Sequence, residues 1–237
     1  MVRSFRLPLL VALAGAGCSF SAPVLAQAPN NPTAAQAEED PYASLPGPAI
    51  VLPRSGTTSS RFEAFEENVD GYIFEKLGIV FGDLRISHQY PPEGFFLQPA
   101  ASVAPFTAVL RLPRLEGAFV GLAHYETSPV EKFDEQTQLR YLRGIADRAP
   151  QGQTVSITRG PLEGNRETVV LGFNTRSYQY DYVSEESGEV VRRVREFLTL
   201  MGDGSLMLSR YEGSPAAFEQ IAPLAEAFLQ NLLIEHE

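Results

Sequence analysis

Tyr178, Tyr180 and Tyr182 alternate along one stretch of this 237-residue chain, and Arg192 follows a short way on. Alternate residues of an extended chain share a face, so the three phenols form a row. If the chain turns back through Ser184 to Gly188, Val183 opposes Glu189. Tyr182 then faces Val190, Tyr180 faces Arg192, Tyr178 faces Val194 and Arg176 faces Glu196. Tyrosine and arginine are enriched at binding hot spots, so the chemistry on offer is recognition rather than bond making. Tyr178, Tyr180, Tyr182 and Arg192 are therefore the candidate binding residues. The competing explanation is ordinary cross-strand pairing in a twisted ribbon, and a slip of one residue would dissolve the ladder.

Residues suited to catalysis do not form a working set. His88, His124 and His236 are far apart, with no Cys, Asp or Glu at ligand spacing around them, so no zinc pattern exists. Gly202-Asp203-Gly204-Ser205-Leu206 superficially suggests a nucleophile turn, but it lacks the G-x-S-x-G form and reads as a hairpin. Asp134-Glu135 and Glu185-Glu186 are adjacent acids, whereas glycoside hydrolysis needs two carboxylates across a cleft. Gly71, Gly78, Gly82 and Gly94 lack phosphate-loop spacing. No catalytic residue, metal or other cofactor is expected, and the chain reads as a non-enzyme.

Charge narrows the partners. The chain carries 19 basic and 29 acidic residues for a formal charge of −10, and its lysines are Lys76 and Lys132 alone. Without a basic cluster it is a poor ligand for a phosphate backbone or for anionic lipid, so nucleic acid is not an expected partner.

The elements that must position these residues begin after an export signal. Arg3 and Arg6, the apolar run Leu7 to Ala16, and the small-residue patterns Val24-Leu25-Ala26 and Ala26-Gln27-Ala28 make residues 1–26 a secretory signal peptide. The apolar run is too short for a stable anchor, and no other long one follows, so no transmembrane segment is expected in the mature chain. Cys18 after Ala14-Gly15-Ala16-Gly17 resembles a lipobox, with Gly15 where a large aliphatic residue normally stands. Cleavage near Ala26 or Ala28 is favoured over a lipid anchor at Cys18. The expected address is the periplasm, and the outer membrane through Cys18 is the alternative. Residues 27–59 are rich in Pro, Ala and small polar residues and read as a flexible tether, although Ile50 to Leu52 offer a local docking point.

A single domain over residues 60–237 is expected to follow. Ser60-Arg61-Phe62-Glu63 has capping-box form, and Phe62, Phe65, Val69 and Ile73 recur at helical spacing, which predicts a helix. A turn at Asp70-Gly71 with a strand from Tyr72 is the alternative. Extended pieces are predicted at Ile79 to His88 and Phe95 to Gln98, and a hairpin at Phe106 to Leu112 with Ala118 to Tyr125. Ser128, Pro129 and Glu131 predict a helix running to Ala149. Strands follow at Thr154 to Thr158, Thr168 to Val183, Glu189 to Met201 and Ser205 to Tyr211. A last helix begins at Ser214-Pro215, with Phe218, Ile221, Ala225, Phe228 and Leu232 along one stripe. The fold class is α+β, an antiparallel sheet sandwiched with amphipathic helices.

From about Phe95 to Leu233 this order resembles the PsbP/Mog-type fold. The resemblance rests on the helix from Ser128 to Ala149, the meander from Tyr178 to Leu208, and Gly204-Ser205-Leu206-Met207-Leu208-Ser209-Arg210-Tyr211 with the closing helix. The chain departs from bacterial members of that group in having no tryptophan and in carrying Leu232-Leu233 after Asn231. The resemblance implies a non-catalytic binding or assembly module and transfers no functional residue. The expected function is an exported module of the bacterial cell envelope that binds another envelope protein. The alternative is a small-molecule or lipid carrier with an apolar pocket between sheet and helices, and a hydrolase is the third choice.

Overall fold

The computed structural model describes residues 47–89, 98–159, 168–171 and 173–236. The expected signal peptide, Cys18, the first part of the tether and the turn at Tyr90 to Gly94 lie outside these residues.

The strands expected from Thr154 onward belong to an eight-stranded antiparallel sheet, in the order β4-β5-β6-β11-β10-β9-β7 with β8 beside β9. Its strands are β4 (Gln98–Pro99), β5 (Ala108–Arg111), β6 (Phe119–Tyr125), β7 (Gln153–Arg159), β8 (Thr168–Val170), β9 (Phe173–Ser184), β10 (Val190–Leu200) and β11 (Leu206–Gly213). Leu171, at φ 58°, interrupts the expected run from Thr168 and separates β8 from β9. Asp203-Gly204 does turn the chain between β10 and β11. Of the two, only Gly204 adopts positive φ, at 85°, and the Gly204 amide donates to Met201 O. The loop is one of the longer hairpin connections.

Both faces of this sheet are covered. On one, the apolar stripe of α2 (Pro215–Gln230) packs Phe218, Ile221, Ala225 and Phe228 against Val120, Leu122, Met207 and Tyr211. Ser214 caps this helix through the Ala217 amide, and Pro215 stands in its first turn, as the sequence predicts. The other face carries α1 (Glu135–Ala146), whose Tyr141, Leu142 and Ile145 meet Tyr178, Tyr180 and Val194. Strand alternation sorts the residues: along β6, Val120 and Leu122 join the first core, while Phe119, Ala123 and Tyr125 join the second.

Four expectations are corrected. The helix predicted from Ser60 is a strand, β1 (Ser60–Val69), paired antiparallel with β2 (Tyr72–Phe81) through Asp70 and Gly71, both at positive φ. That turn matches the right-handed twist of a hairpin, and a full ladder with the β-rich partner YIFEKLGIVF outweighs local helical spacing. The α1 helix starts at Glu135 with Asp134 as its cap, its carboxylate accepting from the Thr137 amide at 2.8 Å. Ser128 instead closes a local turn onto Val130, because Val130 is anchored in the core. The closing helix stops at Gln230. Leu233–His236 form β12, the edge of a second sheet ordered β1-β2-β3-β12, with β3 at Leu84–Gln89. Leu233 thus opens a strand beyond the closing helix.

The fourth correction concerns the tether. Residues 47–59 are built into the fold as a strap across α1 and β6. The Ile50 amide donates to Arg140 O at 3.0 Å, the Thr58 amide to His124 O at 2.8 Å, and the Tyr125 hydroxyl to Pro53 O at 2.9 Å. Ile50 and Leu52 are buried. Gly144 permits this approach, since a Cβ there would lie 1.9 Å from Ile50 O. The docking point noted at Ile50 to Leu52 is therefore the centre of a longer packed segment.

Among the described residues, no helix is long and apolar enough to cross a membrane.

Candidate functional site

The strap, the loop before β5, the end of α1 and strands β9 to β11 surround a cavity of about 290 Å³. Its walls include Phe106, Phe119 and Tyr182, and four arginines reach it: Arg54, Arg148, Arg192 and Arg210. Glu212 is the carboxylate among its lining residues. Such a concentration of guanidinium is notable in a chain with a formal charge of −10.

Beneath the cavity floor lies a buried ion network. Glu196 on β10 is 0% exposed and stands directly across from Arg210 on β11 and Tyr178 on β9. Arg210 Nε donates to its carboxylate at 2.7 Å, and Tyr141 of α1 donates a short hydrogen bond to Oε1. Tyr180 donates at 3.4 Å, and Arg148 Nη2 approaches Oε1 at 3.5 Å. Burial pushes the Glu196 carboxyl upward, but the charges of Arg210 and Arg148 with the Tyr141 hydrogen bond prevail and hold it at about 2. Burial, reinforced by the Glu196 charge, drives the Tyr141 hydroxyl well above its ordinary value, so it remains a donor. Tyr180 is likewise driven up, by burial first and then by Glu196 against the opposing charge of Arg210.

Gly121 positions the arginine. It lies opposite Arg210 in the β6–β11 register, and a Cβ there would stand 2.5 Å from the Phe106 ring. The missing side chain lets Phe106 lie on the sheet, where its ring carries the Arg210 guanidinium at 5.1 Å. Arg210 also donates through Nη1 to Glu212 at 3.2 Å, and Glu212 accepts a second bond from Arg192 Nη1.

The structure places the four sequence-selected residues in two groups. Tyr178 and Tyr180 are 0% exposed and belong to the core, and Tyr182 is 9% exposed; the row is not a surface ladder. Tyr182 and Arg192 do meet, at the cavity. The register differs from the expected one: Val190 pairs with Val183, and after a bulge Arg192 pairs with Tyr182, Val194 with Tyr180 and Glu196 with Tyr178. The loop is one residue longer than assumed and the bulge adds another. The even displacement preserves each residue's face but changes its partner. Arg176 pairs with Leu198 and lies over Phe133.

The core residues of the network, Glu196 and Arg210, carry a signal that the search for chemistry did not use. Both share a strand face with apolar neighbours, Val194 and Leu198 for one and Leu208 for the other. A charge on a core-facing register must have a partner. Arg54 and Arg148 carry no comparable signal, because a strap and a helix end have no period.

The histidines stay apart from this site. His124 is buried beside Thr58 and Phe81, and burial lowers its pKa; His88 stacks on Phe228. Among the described residues no group of three His, Cys, Asp or Glu is placed to hold a metal ion. At the far end of the second sheet, the tip of the β1–β2 hairpin exposes Tyr72 (72%) and Ile73 (65%).

No protein-family model and no curated protein matches the chain. Solved structures do resemble it. The solution structure of cyanobacterial PsbP from Synechocystis sp. PCC 6803 matches over 78% of this chain and 98% of its own, at 12% identity and a TM-score of 0.43. LpqN of Mycobacterium tuberculosis, involved in cell envelope biogenesis, matches over 73% and 91%, at 10% identity and a TM-score of 0.45. A protein of unknown function from Pseudomonas aeruginosa, PA94, matches over 71% and 94%, at 9% identity and 0.37. At such distances the likeness carries no functional argument, and the reading of the site rests on its own geometry.

Proposed function

We propose that this chain is a non-catalytic binding module of the bacterial cell envelope, exported by its leader, and that it takes its ligand in the arginine-lined cavity. The observation that carries the reading is the state of the groups around the cavity. Arginine stays protonated and cannot act as a base, and Glu196, held at about 2 and enclosed by its partners, is a poor proton carrier near neutral pH. Among the described residues, no serine or cysteine lines the cavity. What remains is a preorganised pocket with aromatic walls and fixed donors, which supports binding. The polar lining favours this over a carrier with a purely apolar pocket.

The test is ligand-observed NMR with a fragment library on the folded chain, repeated with Val103→Trp to fill the cavity. Fragments that bind the parent and are lost on filling support the reading; binding that ignores the filled cavity refutes it.

A second reading, docking onto an envelope protein, is favoured by the exposed Tyr72 and Ile73 at the hairpin tip. Affinity capture from envelope extracts with Tyr72→Ser and Ile73→Ser would lose the partner if that tip is the contact.

A further inference from the structure

Accepting that the cavity is the binding site, we propose that its ligand is an organic anion: a carboxylate or phosphate group carried on a small apolar body. The balance of donors and acceptors around the space points to it. Arg54 has no hydrogen-bond or ion-pair partner among the described residues. Arg148 commits Nε to Gly144 O and Nη2 to Tyr141 and Glu196, and its Nη1 has no partner among the described residues. Arg192, its side chain 47% exposed, commits only Nη1, to Glu212. The Tyr182 hydroxyl, also at the lining, has no partner there either. Against these donors the carboxylate at the lining is Glu212, and it is already shared by Arg192 and Arg210.

A space with several uncommitted guanidinium N–H groups, whose lining carboxylate Glu212 is already shared by two arginines, selects a ligand rich in acceptors. Four arginines against Glu212 and the underlying Glu196 leave the site locally positive, so the acceptors should carry negative charge. Planar guanidinium forks match carboxylate and phosphate oxygens. Phe106 and Phe119 supply an apolar wall for the remainder of the molecule. The volume, about 290 Å³, lies at the small end of ligand pockets of roughly 300–1,000 Å³, which suits a compact molecule or the head of a larger one. Glu212 already presents a carboxylate to two of the arginines, an internal example of the chemistry an incoming anion would reproduce.

Titration calorimetry on the full chain with hexyl phosphate, hexanoate, inorganic phosphate and 1-hexanol tests this. Hexyl phosphate or hexanoate should bind at least tenfold more tightly than either hexanol or inorganic phosphate. Arg54→Gln, whose side chain has no partner to orphan, should weaken that binding several-fold at an unchanged melting temperature, and Arg192→Gln should do the same. Hexanol binding as well as the anions at a site lost in Val103→Trp would overturn the anion assignment while leaving the cavity as the binding site. Inorganic phosphate binding as tightly as hexyl phosphate would overturn the organic body. No heat with any probe, beside fragments that still bind the cavity, would overturn the proposal; no ligand of any kind there would overturn the site itself. Cosedimentation with phosphatidylglycerol vesicles, reversed by hexyl phosphate, would support the anion and identify its source as a lipid headgroup. Hexyl phosphate binding without vesicle binding would support a free metabolite.

Discussion

Glu196 and Arg210 form one cross-strand pair of β10 and β11, with the carboxylate wholly removed from water and Arg210 Nε 2.7 Å from it. Removing one member of a buried pair leaves the other charge uncompensated, at a cost of about 3–5 kcal/mol. Glu196→Gln should therefore lower the unfolding free energy by roughly that amount. Urea unfolding followed by circular dichroism measures it. Tyr141→Phe removes one donor to the same carboxylate and should cost less, about 1.5–3 kcal/mol.

The same pair makes stability depend on acid. Glu196 titrates at about 2 in the folded protein against an ordinary value of 4.5, so the folded state binds this proton less readily than the unfolded one. Its contribution is fully present above about pH 4.5 and falls away between there and pH 2. Unfolding midpoints recorded across that window should decline for the parent, and the decline should be shallower in Glu196→Gln. Equal slopes in the two proteins would show that other carboxylates set the acid response.

Gly144→Ala should detach the strap. An added Cβ would meet the backbone oxygen of Ile50 at 1.9 Å, and neither helix nor strap has a flexible side chain to yield there. Hydrogen exchange at the Ile50 amide, bonded to Arg140 O, should accelerate well beyond any change in the central sheet. Deleting residues 1–59 should lower the melting temperature, since burial of Ile50 and Leu52 contributes about 1.5–3 kcal/mol each.

Gly121→Ala should disturb the cavity from below. Its Cβ would lie 2.5 Å from the Phe106 ring, lifting the platform under Arg210. Overpacking of this kind costs about 1–3 kcal/mol, and anion binding should weaken more than the stability loss alone implies. Calorimetry on the folded fraction separates the two effects.

Export gives the last expectation. The secreted form should begin at or near Gln27 without lipid, and intact mass decides this. A diacylglyceryl group on an N-terminal Cys18 would establish the lipoprotein route instead.

Local signals decide the structure where chemistry and pairing act over a few residues. Ser214-Pro215 starts α2 because a hydroxyl cap and a proline suit the first turn, and the stripe from Phe218 to Phe228 buries itself against the sheet. The strands from Thr154 to Tyr211 were legible through alternation and turn residues. Other elements are decided by distant partners. Phe62, Phe65 and Val69 satisfy a helical spacing, yet β2 supplies a ladder that no local pattern reveals. Val130 fixes its segment in the core and delays α1 to Asp134.

The sequence by itself determined an α+β chain with its central strands and its closing amphipathic helix, and the absence of any familiar catalytic motif, because periodicity, caps and turn preferences act within a few residues. It also placed Tyr178, Tyr180 and Tyr182 on one face. Only the tertiary structure decided that this face is interior, that a bulge before Arg192 resets its partner, and that Arg54, Arg148, Arg192 and Arg210 converge on one cavity. Convergence depends on a strap, a helix end and two strands brought together by packing, and burial depends on which element covers a face. Neither is a property of the neighbours along the chain.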